Sequence, residues 1–467
     1  MMISRLLLLV GLLCAIPGLA SAAQAESRQD LEAEVHRLNE RVRFLEKRMD
    51  ALLIRLADTA GPEQLMGDKE SESSEALQDQ AAEALVTEAL ADNHEQRFPA
   101  PEPAFTMGGR VKLDVIANSV SVGGAGGQNR ADVSFFPTAI PLDDTGEDHQ
   151  VSGNARDSRI WFNAMNPTPY GDLGAYIELD FGSWDNAANE RVSNSHNPRL
   201  RHAYATFRGI TMGQTTSTFQ NMVAFPEINE SNGSVGVLNT RQPLIRYTRD
   251  VGRYRWSLAA EQPETTVTAR DGSRLSFDDD QLPDLVGRID WQNERAMVSV
   301  SALVRQIRID GVIDNRFVEE DTVGAGLSVS GRWFLPNADN LRFALASGRG
   351  IGRYVSYNSF NDAFLDSGGN LETIPMTSAF LAYQHWWSDT WRTNVALGYA
   401  EADLHPADYA TGLINERFLS SHINLLWSPI PSATFGVEWL HGRRELLNGM
   451  SGQLNRLQFT SLYKFSQ

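Results

Sequence analysis

From residue 105 to residue 467 the chain exchanges apolar and polar residues at every second position, segment after segment. In GAYIELDF (174–181), Ile177, Leu179 and Phe181 point one way and Tyr176, Glu178 and Asp180 the other. In MVSVSALVR (297–305), Val298, Val300, Ala302 and Val304 oppose Ser299, Ser301 and Arg305. TVGAGLSVSGRW (322–333) and ATFGVEWL (433–440) repeat the pattern, with small or charged residues on the polar face. A period of two commits these segments to strands. Segments can be placed at 105–117, 155–165, 173–182, 199–208, 209–216, 241–248, 252–261 and 284–292. They continue at 295–308, 320–334, 339–350, 374–388, 390–402, 416–428, 432–443 and 453–465. Their length, roughly 8–15 residues, suits strands that cross a bilayer at a tilt.

The connections select the architecture. They alternate short and long. NPTPYGD (166–172), Arg208-Gly209, RDVG (249–252), QNER (292–295), PNAD (336–339), Ser388-Asp389 and SPIP (428–431) read as turns. The stretches 118–154, 183–198, 217–240, 262–283, 309–319, 351–373, 403–415 and 444–452 read as long loops rich in Gly, Asn, Asp and Ser. Short turns on one rim and long loops on the other describe an all-β transmembrane barrel of about 16 antiparallel strands. An even strand count puts both barrel ends on the short-turn, periplasmic rim. A soluble β-sandwich or propeller shares the alternation but not the loop asymmetry. Nor does it explain a last strand with Leu457, Phe459, Tyr463 and Phe465 on one face, ahead of Ser466 and Gln467. After the N-terminus no run approaches 18 apolar residues, so no helix is expected to cross a membrane.

Ahead of the barrel the periodicity is different. Residues 1–25 read as a secretory signal peptide: Arg5, the apolar run Leu6–Leu13, Pro17, then Ala20-Ser21-Ala22, with cleavage after Ala22 or Ala25. Cys14, the single cysteine, falls inside it, so the mature chain needs no disulfide and holds no thiol site. Over residues 26–57, Leu31, Val35, Leu38, Val42, Leu45, Met49, Leu52 and Leu56 recur in steps of four and three. That is a heptad seam, and a lone helix would leave it wet. It implies a coiled coil that gathers copies of the chain. In parallel register Arg41 faces Glu46 of the neighbour. Val at a with Leu at d favours two strands. Residues 58–104 follow as an acidic flexible linker that ends in Pro99, Pro101 and Pro103.

Parity assigns the lumen face. Ile160 and Phe162 face out, so Arg159 and Trp161 face in; Leu200 and Tyr204 face out, so Arg199 and Arg201 face in. By the same rule Arg246, Arg253, Arg255, Arg288 and Arg305 face in, as do Arg332, Arg342 and Arg392, while Glu178 and Asp180 supply lumen carboxylates. The net charge of −18 excludes a nucleic-acid binder as a whole. An arginine-rich lumen inside an acidic chain points to anion passage, because guanidinium forks hold carboxylate or phosphate bidentately. The plainer reading pairs Arg159, Arg199 and Arg201 with Glu178 and Asp180 as a structural ladder. Loop 217–240 carries the apolar run Met222–Pro226, which either folds into the barrel or meets a neighbouring subunit; Phe135 and Phe136 in 118–154 raise the same choice.

Enzyme signals are weak. The nine histidines show no metal-ligand spacing, GRGIG (348–352) lacks a strand–helix context, and Ser421 and His422 are adjacent and so point oppositely. No enzyme activity, metal or cofactor is expected.

Three stretches resemble the DcaP-like trimeric porins of Gram-negative outer membranes: FTMGGRVKLDV (105–115), SRIWFNAMNPTPYGDLGAYIELDF (158–181) and PRLRHAYATFRGITMGQTTSTF (198–219). The resemblance implies a homotrimer, periplasmic coiled coils and passive uptake of small anionic solutes such as dicarboxylates. It implies contact with outer-membrane lipid and lipopolysaccharide, and it sets three subunits against the two that the seam favours. The phosphate-selective porins are the runner-up. A third reading is an adhesive envelope barrel tethered to peptidoglycan through its coiled coil.

Overall fold

The computed structural model describes residues 103–121, 134–143, 148–182, 193–313, 316–366, 368–409 and 411–466. The signal peptide, the coiled-coil seam and nearly all of the acidic linker lie outside these residues. The first strands are β1 (Ala104–Val120), β2 (Asp148–Asn154), β3 (Arg159–Thr168), β4 (Gly171–Asp180), β5 (Arg199–Phe207), β6 (Ile210–Thr216), β7 (Arg241–Val251) and β8 (Tyr254–Glu261). After β9 (Thr265–Thr268) and β10 (Arg274–Phe277) come β11 (Asp284–Gln292), β12 (Ala296–Ile313), β13 (Arg316–Phe334) and β14 (Asn340–Arg349). The last are β15 (Ala363–Leu365), β16 (Leu371–Thr373), β17 (Pro375–Trp386), β18 (Trp391–Ala402), β19 (Asn415–Ile430), β20 (Ala433–Leu446) and β21 (Ser451–Ser466).

β2 pairs with the second half of β1 and β3 with the first, so the two form one stave broken at 155–158. Counted together they give a barrel of 16 antiparallel staves among the described residues. β21 closes it on β1, from Gly108 opposite Ser466 to Asn118 opposite Arg456. Each of the segments expected from the alternation overlaps one stave. β9, β10, β15 and β16 were not legible as strands; they make a separate four-stranded sheet.

The two faces of the wall explain the closure. Outward, Val111 and Leu113 of β1, Val300 and Val304 of β12 and Leu457 of β21 are exposed. Each would cost roughly 1.5–3 kcal/mol if left in water, so a belt of them all round the barrel belongs in lipid. Inward, the same strands carry Lys112, Asp114, Ser299, Ser301 and Gln458. A soluble sandwich would bury the apolar face instead. Near the short-turn rim Trp391, Trp427 and Phe435 follow one another at 5.8 and 5.6 Å between ring centroids, part of an aromatic girdle. The turn between β5 and β6 uses Arg208 and Gly209 at φ 48° and 83°, and a Cβ on Gly209 would sit 2.5 Å from the Thr248 carbonyl oxygen. That positive-φ pair matches the twist of the flanking strands.

Two expected long loops are strand instead. Most of 309–319 belongs to β12 and β13, which stay paired as far as Ile313 opposite Arg316. Inward Ile307, Ile309 and Ile313 pack with Val267, Ala363, Leu365 and Leu371 of the small sheet, so burial holds the hairpin out beyond the wall. Similarly, 444–452 is a hairpin with Glu445 opposite Ser451.

Loop 217–240 folds into the barrel. Its Asn221 bonds to Ser299 and Ser330 on the inner face of β12 and β13. Further along, Val235 N–H donates to Ser420 Oγ on β19. Gly236 sits at φ 84°, and a Cβ there would fall on the carbonyl oxygen of Ala379. The absent side chain lets the loop backbone lie directly against β17. Phe135 also turns inward, edge-on to His422 at 6.4 Å.

Candidate functional site

The inward loop leaves a cavity of about 910 Å³ against β1, β3, β4 and β5. Ten basic side chains line it against six acidic ones. Strand alternation places the basic groups: Arg110 precedes the outward Val111, Lys112 lies between the outward Val111 and Leu113, and Arg159 precedes the outward Ile160.

The wall forms a continuous network. Asp157, in the break between β2 and β3, takes Arg110, takes Arg159 at 3.0 Å and lies 3.5 Å from Lys112. Arg159 reaches Glu178 at 3.4 Å. Arg201 spans Glu178 at 2.6 Å and Asp180 at 2.8 Å. Arg199 forks onto Asp180 at 2.9 and 2.7 Å. These carboxylates orient the guanidinium groups and neutralise part of their charge. Arg241 also lines the cavity, and among the described residues no carboxylate pairs with it.

The loop is fastened both to the side across from this wall and to the wall itself. Glu227 accepts both prongs of Arg392, and Arg342 donates to the Phe225 carbonyl at 2.5 Å. Lys112 Nζ donates to the Asn229 carbonyl and to Ser231 Oγ. Glu230 meets Arg456 at 3.1 Å with neither side chain exposed. Burial withholds water from the Glu227 carboxylate, but hydrogen bonding and charge from Arg392 prevail and hold its pKa below the ordinary glutamate value.

Of the residues expected to face the lumen, Arg159, Arg199, Arg201, Glu178 and Asp180 come together at the cavity. Arg246 lies on the inner side and donates to the Thr216 carbonyl at 3.4 Å. Arg288 holds the loop base through the Thr218 and Gln220 carbonyls. Three assignments change. Arg305 is not on an open path: it is fully buried with Asp284 at 3.2 Å and Asp362 at 2.9 Å. Arg253 sits in the turn between β7 and β8, exposed at the rim. Arg255 keeps inward parity but lies at the rim, more than half exposed and paired with Asp250.

Tyr204 is a fourth correction. The β4–β5 register slips so that Glu178 faces His202 while Leu179 faces Leu200. Arg201 is the extra residue of a β-bulge, and beyond it the parity of β5 reverses. Tyr204 therefore shares the inner face with Tyr176, 5.4 Å away.

Alternation alone could have found Arg110 and Lys112, which flank outward residues in the quoted strand-1 motif. It could not have found Arg241. That residue precedes the buried Gln242 by one, so parity sends it outward, yet it lines the cavity where the strand leaves the loop. The fastenings by Glu227 and Glu230 depend on where the loop lands.

A Ser–His–acid arrangement is present on β19 and β20, one residue from the pair the sequence suggested. His422 lies 3.2 Å from Ser420 Oγ and 3.0 Å from Glu438. All three are buried under the loop, and Ser420 Oγ already accepts the Val235 N–H. A nucleophile must reach its substrate; this one is a loop anchor.

The fold has solved counterparts. The crystal structure of the outer membrane channel DcaP of Acinetobacter baumannii is similar with a TM-score of 0.65 at 21% identity, covering 78% of this chain and 97% of that one. The anion-selective porin from Comamonas acidovorans gives 0.48 at 10% identity, covering 78% and 100%. A loop L8 deletion mutant of OmpT, an outer membrane protein of Vibrio cholerae, gives 0.46 at 10% identity, covering 78% and 99%. No curated protein sequence matches this chain. The profile of the DcaP outer membrane protein family matches residues 122–465, which takes in nearly all of the barrel. The chain belongs to the DcaP outer membrane protein family.

Proposed function

We propose that this outer-membrane channel passes small anionic solutes by passive diffusion, with dicarboxylates as the class it suits. The observation that carries this reading is the cavity lining, ten basic side chains against six acidic, inside a chain whose net charge is −18. An excess of fixed positive charge in a narrow, low-dielectric passage raises the local concentration of anions. Guanidinium forks on one wall suit two-ended carboxylates, each end meeting a planar pair of donors. The same forks suit phosphate, but among the cavity's basic residues only Lys112 and Lys464 are lysines, which favours carboxylate geometry.

The assembly completes the proposal. The chain works as a homotrimer, its signal peptide removed and residues 26–57 forming a periplasmic clasp that residues 58–104 join to the barrel. The heptad seam supports self-association, and the family resemblance supports three copies.

Planar-bilayer recordings of the purified full chain in a potassium chloride gradient test the function. The expected reversal potential favours chloride, and succinate competes with chloride flux better than phosphate does. A preference for potassium overturns the reading.

A further inference from the structure

Three aromatic rings lie on the inner wall beside the arginine network. Trp161 of β3 stacks against Tyr176 of β4 at 6.2 Å with 25° between the ring planes. Tyr176 meets Tyr204 of β5 at 5.4 Å. Girdle aromatics face lipid, whereas these face the lumen. Much of the remaining inner wall is Ser, Asn and Gln, as at Ser299, Ser330, Asn394 and Asn424. Gly108 makes the room: a Cβ there would collide with the Trp161 ring.

Two other rings on the inner side each carry an arginine. Arg392 lies over Trp386 at 5.0 Å and Arg332 over Phe334 at 4.7 Å. Among the described residues no cation is seated on Trp161 or Tyr176. Both rings, with Arg110, Arg159 and Lys464, line a second cavity of about 520 Å³. It adjoins the larger one, since Arg110, Arg159, Glu178 and Lys464 border both.

We infer that this second cavity is a subsite for anions that carry an aromatic ring, the ring lying on Trp161 and Tyr176 and the carboxylate turned toward Arg159, Arg110 and Lys464. The inference rests on the anion reading and names a substrate class within it. Arg159 and Trp161 are same-face neighbours two residues apart, about 7 Å along the strand. A ring stacked on Trp161 therefore brings its own carboxylate within reach of the Arg159 guanidinium. Ring stacking adds to charge attraction because it engages a different part of the solute.

Benzoate and cyclohexanecarboxylate separate the two contributions. They match in charge and nearly in size, and only benzoate has a π face. Single-channel recordings of the full chain read the dwell time of each within the pore. Benzoate is expected to dwell roughly three- to tenfold longer, the scale of one aromatic contact. Trp161→Leu should bring the ratio close to one and Trp161→Phe should leave an intermediate value. Tyr176→Leu gives a second route if the Trp161→Leu chain does not insert. Equal dwell times in the native chain, or an unchanged ratio in the leucine variants that insert, overturn the inference. Chloride-over-potassium preference in the native chain is measured in the same membranes. If it is present without a benzoate excess, only the aromatic subsite fails; if it is absent, the anion reading fails.

Discussion

Arg392 of β18 and Glu227 of the inward loop form a two-pronged ion pair, 2.9 Å from Nε and 2.5 Å from Nη2, that ties the wall to the segment crossing the lumen. Gln384 joins the same carboxylate. Glu227→Gln removes the charge but keeps the shape. Arg392 then faces the cavity without its counter-charge. The expected outcome is a shift of the reversal potential toward stronger anion preference, with more current noise as the loop loosens. An unchanged reversal potential would show that the pair is remote from the ion path.

The same pair sets a pH window. Arg392 holds the folded-state pKa of Glu227 below its ordinary value of 4.5. A depressed carboxylate contributes stability that is fully present above the unfolded value and is lost as pH falls through the folded one. The loop anchor is therefore intact from neutrality down to mild acid and fails only below pH 4.5. Selectivity measured against pH, native chain minus Glu227→Gln, should stay flat between about pH 8 and pH 5. A midpoint above 4.5 would contradict the assigned pairing.

Arg305 and Arg255 face the same way by alternation, yet their energetics are opposite. Arg305 touches Asp284 and Asp362 with all three side chains sealed from water. Arg305→Ala leaves two carboxylates buried without their partner, at a cost of about 3–5 kcal/mol. Arg255 and Asp250 are each more than half exposed, so Arg255→Ala should change stability by less than about 1 kcal/mol. Denaturant unfolding in detergent checks both. Comparable losses in the two variants would refute the distinction.

That contrast shows where sequence reading reached its limit. Strand alternation is a local property, and it located all the staves and the inward face of Arg159, Arg199 and Glu178. Depth along the stave is not local. Nothing in GRYRWSLAA separates the rim position of Arg255 from the sealed position of Arg305 in MVSVSALVR. Tyr204 was misplaced because a bulge at Arg201 adds one residue to one strand, which a strict period of two cannot register. The hairpin through 309–319 looked like a loop because its outward residues include Arg308, Asp310 and Glu319, a charged face standing clear of lipid. Its inward Ile307 and Ile309 keep the strand period.

Arg201 and Arg241 border the same cavity with different partners, and this separates selectivity from stability. Arg201 bridges Glu178 and Asp180 with its side chain only 10% exposed. Arg241 has no carboxylate partner among the described residues. Replacing either by Ala removes one positive charge from the passage, so both variants should lose anion preference by a similar amount in reversal-potential measurements. Their stabilities should diverge. Arg201→Ala strands two carboxylates near each other in a poorly hydrated wall, with only Arg159 and Arg199 left to offset them, and should lower stability by several kcal/mol. Arg241→Ala removes a cation that no carboxylate among the described residues neutralises and relieves its repulsion with Arg199 and Arg201, so stability should hold or rise. If Arg241→Ala destabilised the barrel as much as Arg201→Ala, Arg241 would have a structural partner and could not be a free guanidinium available to passing anions.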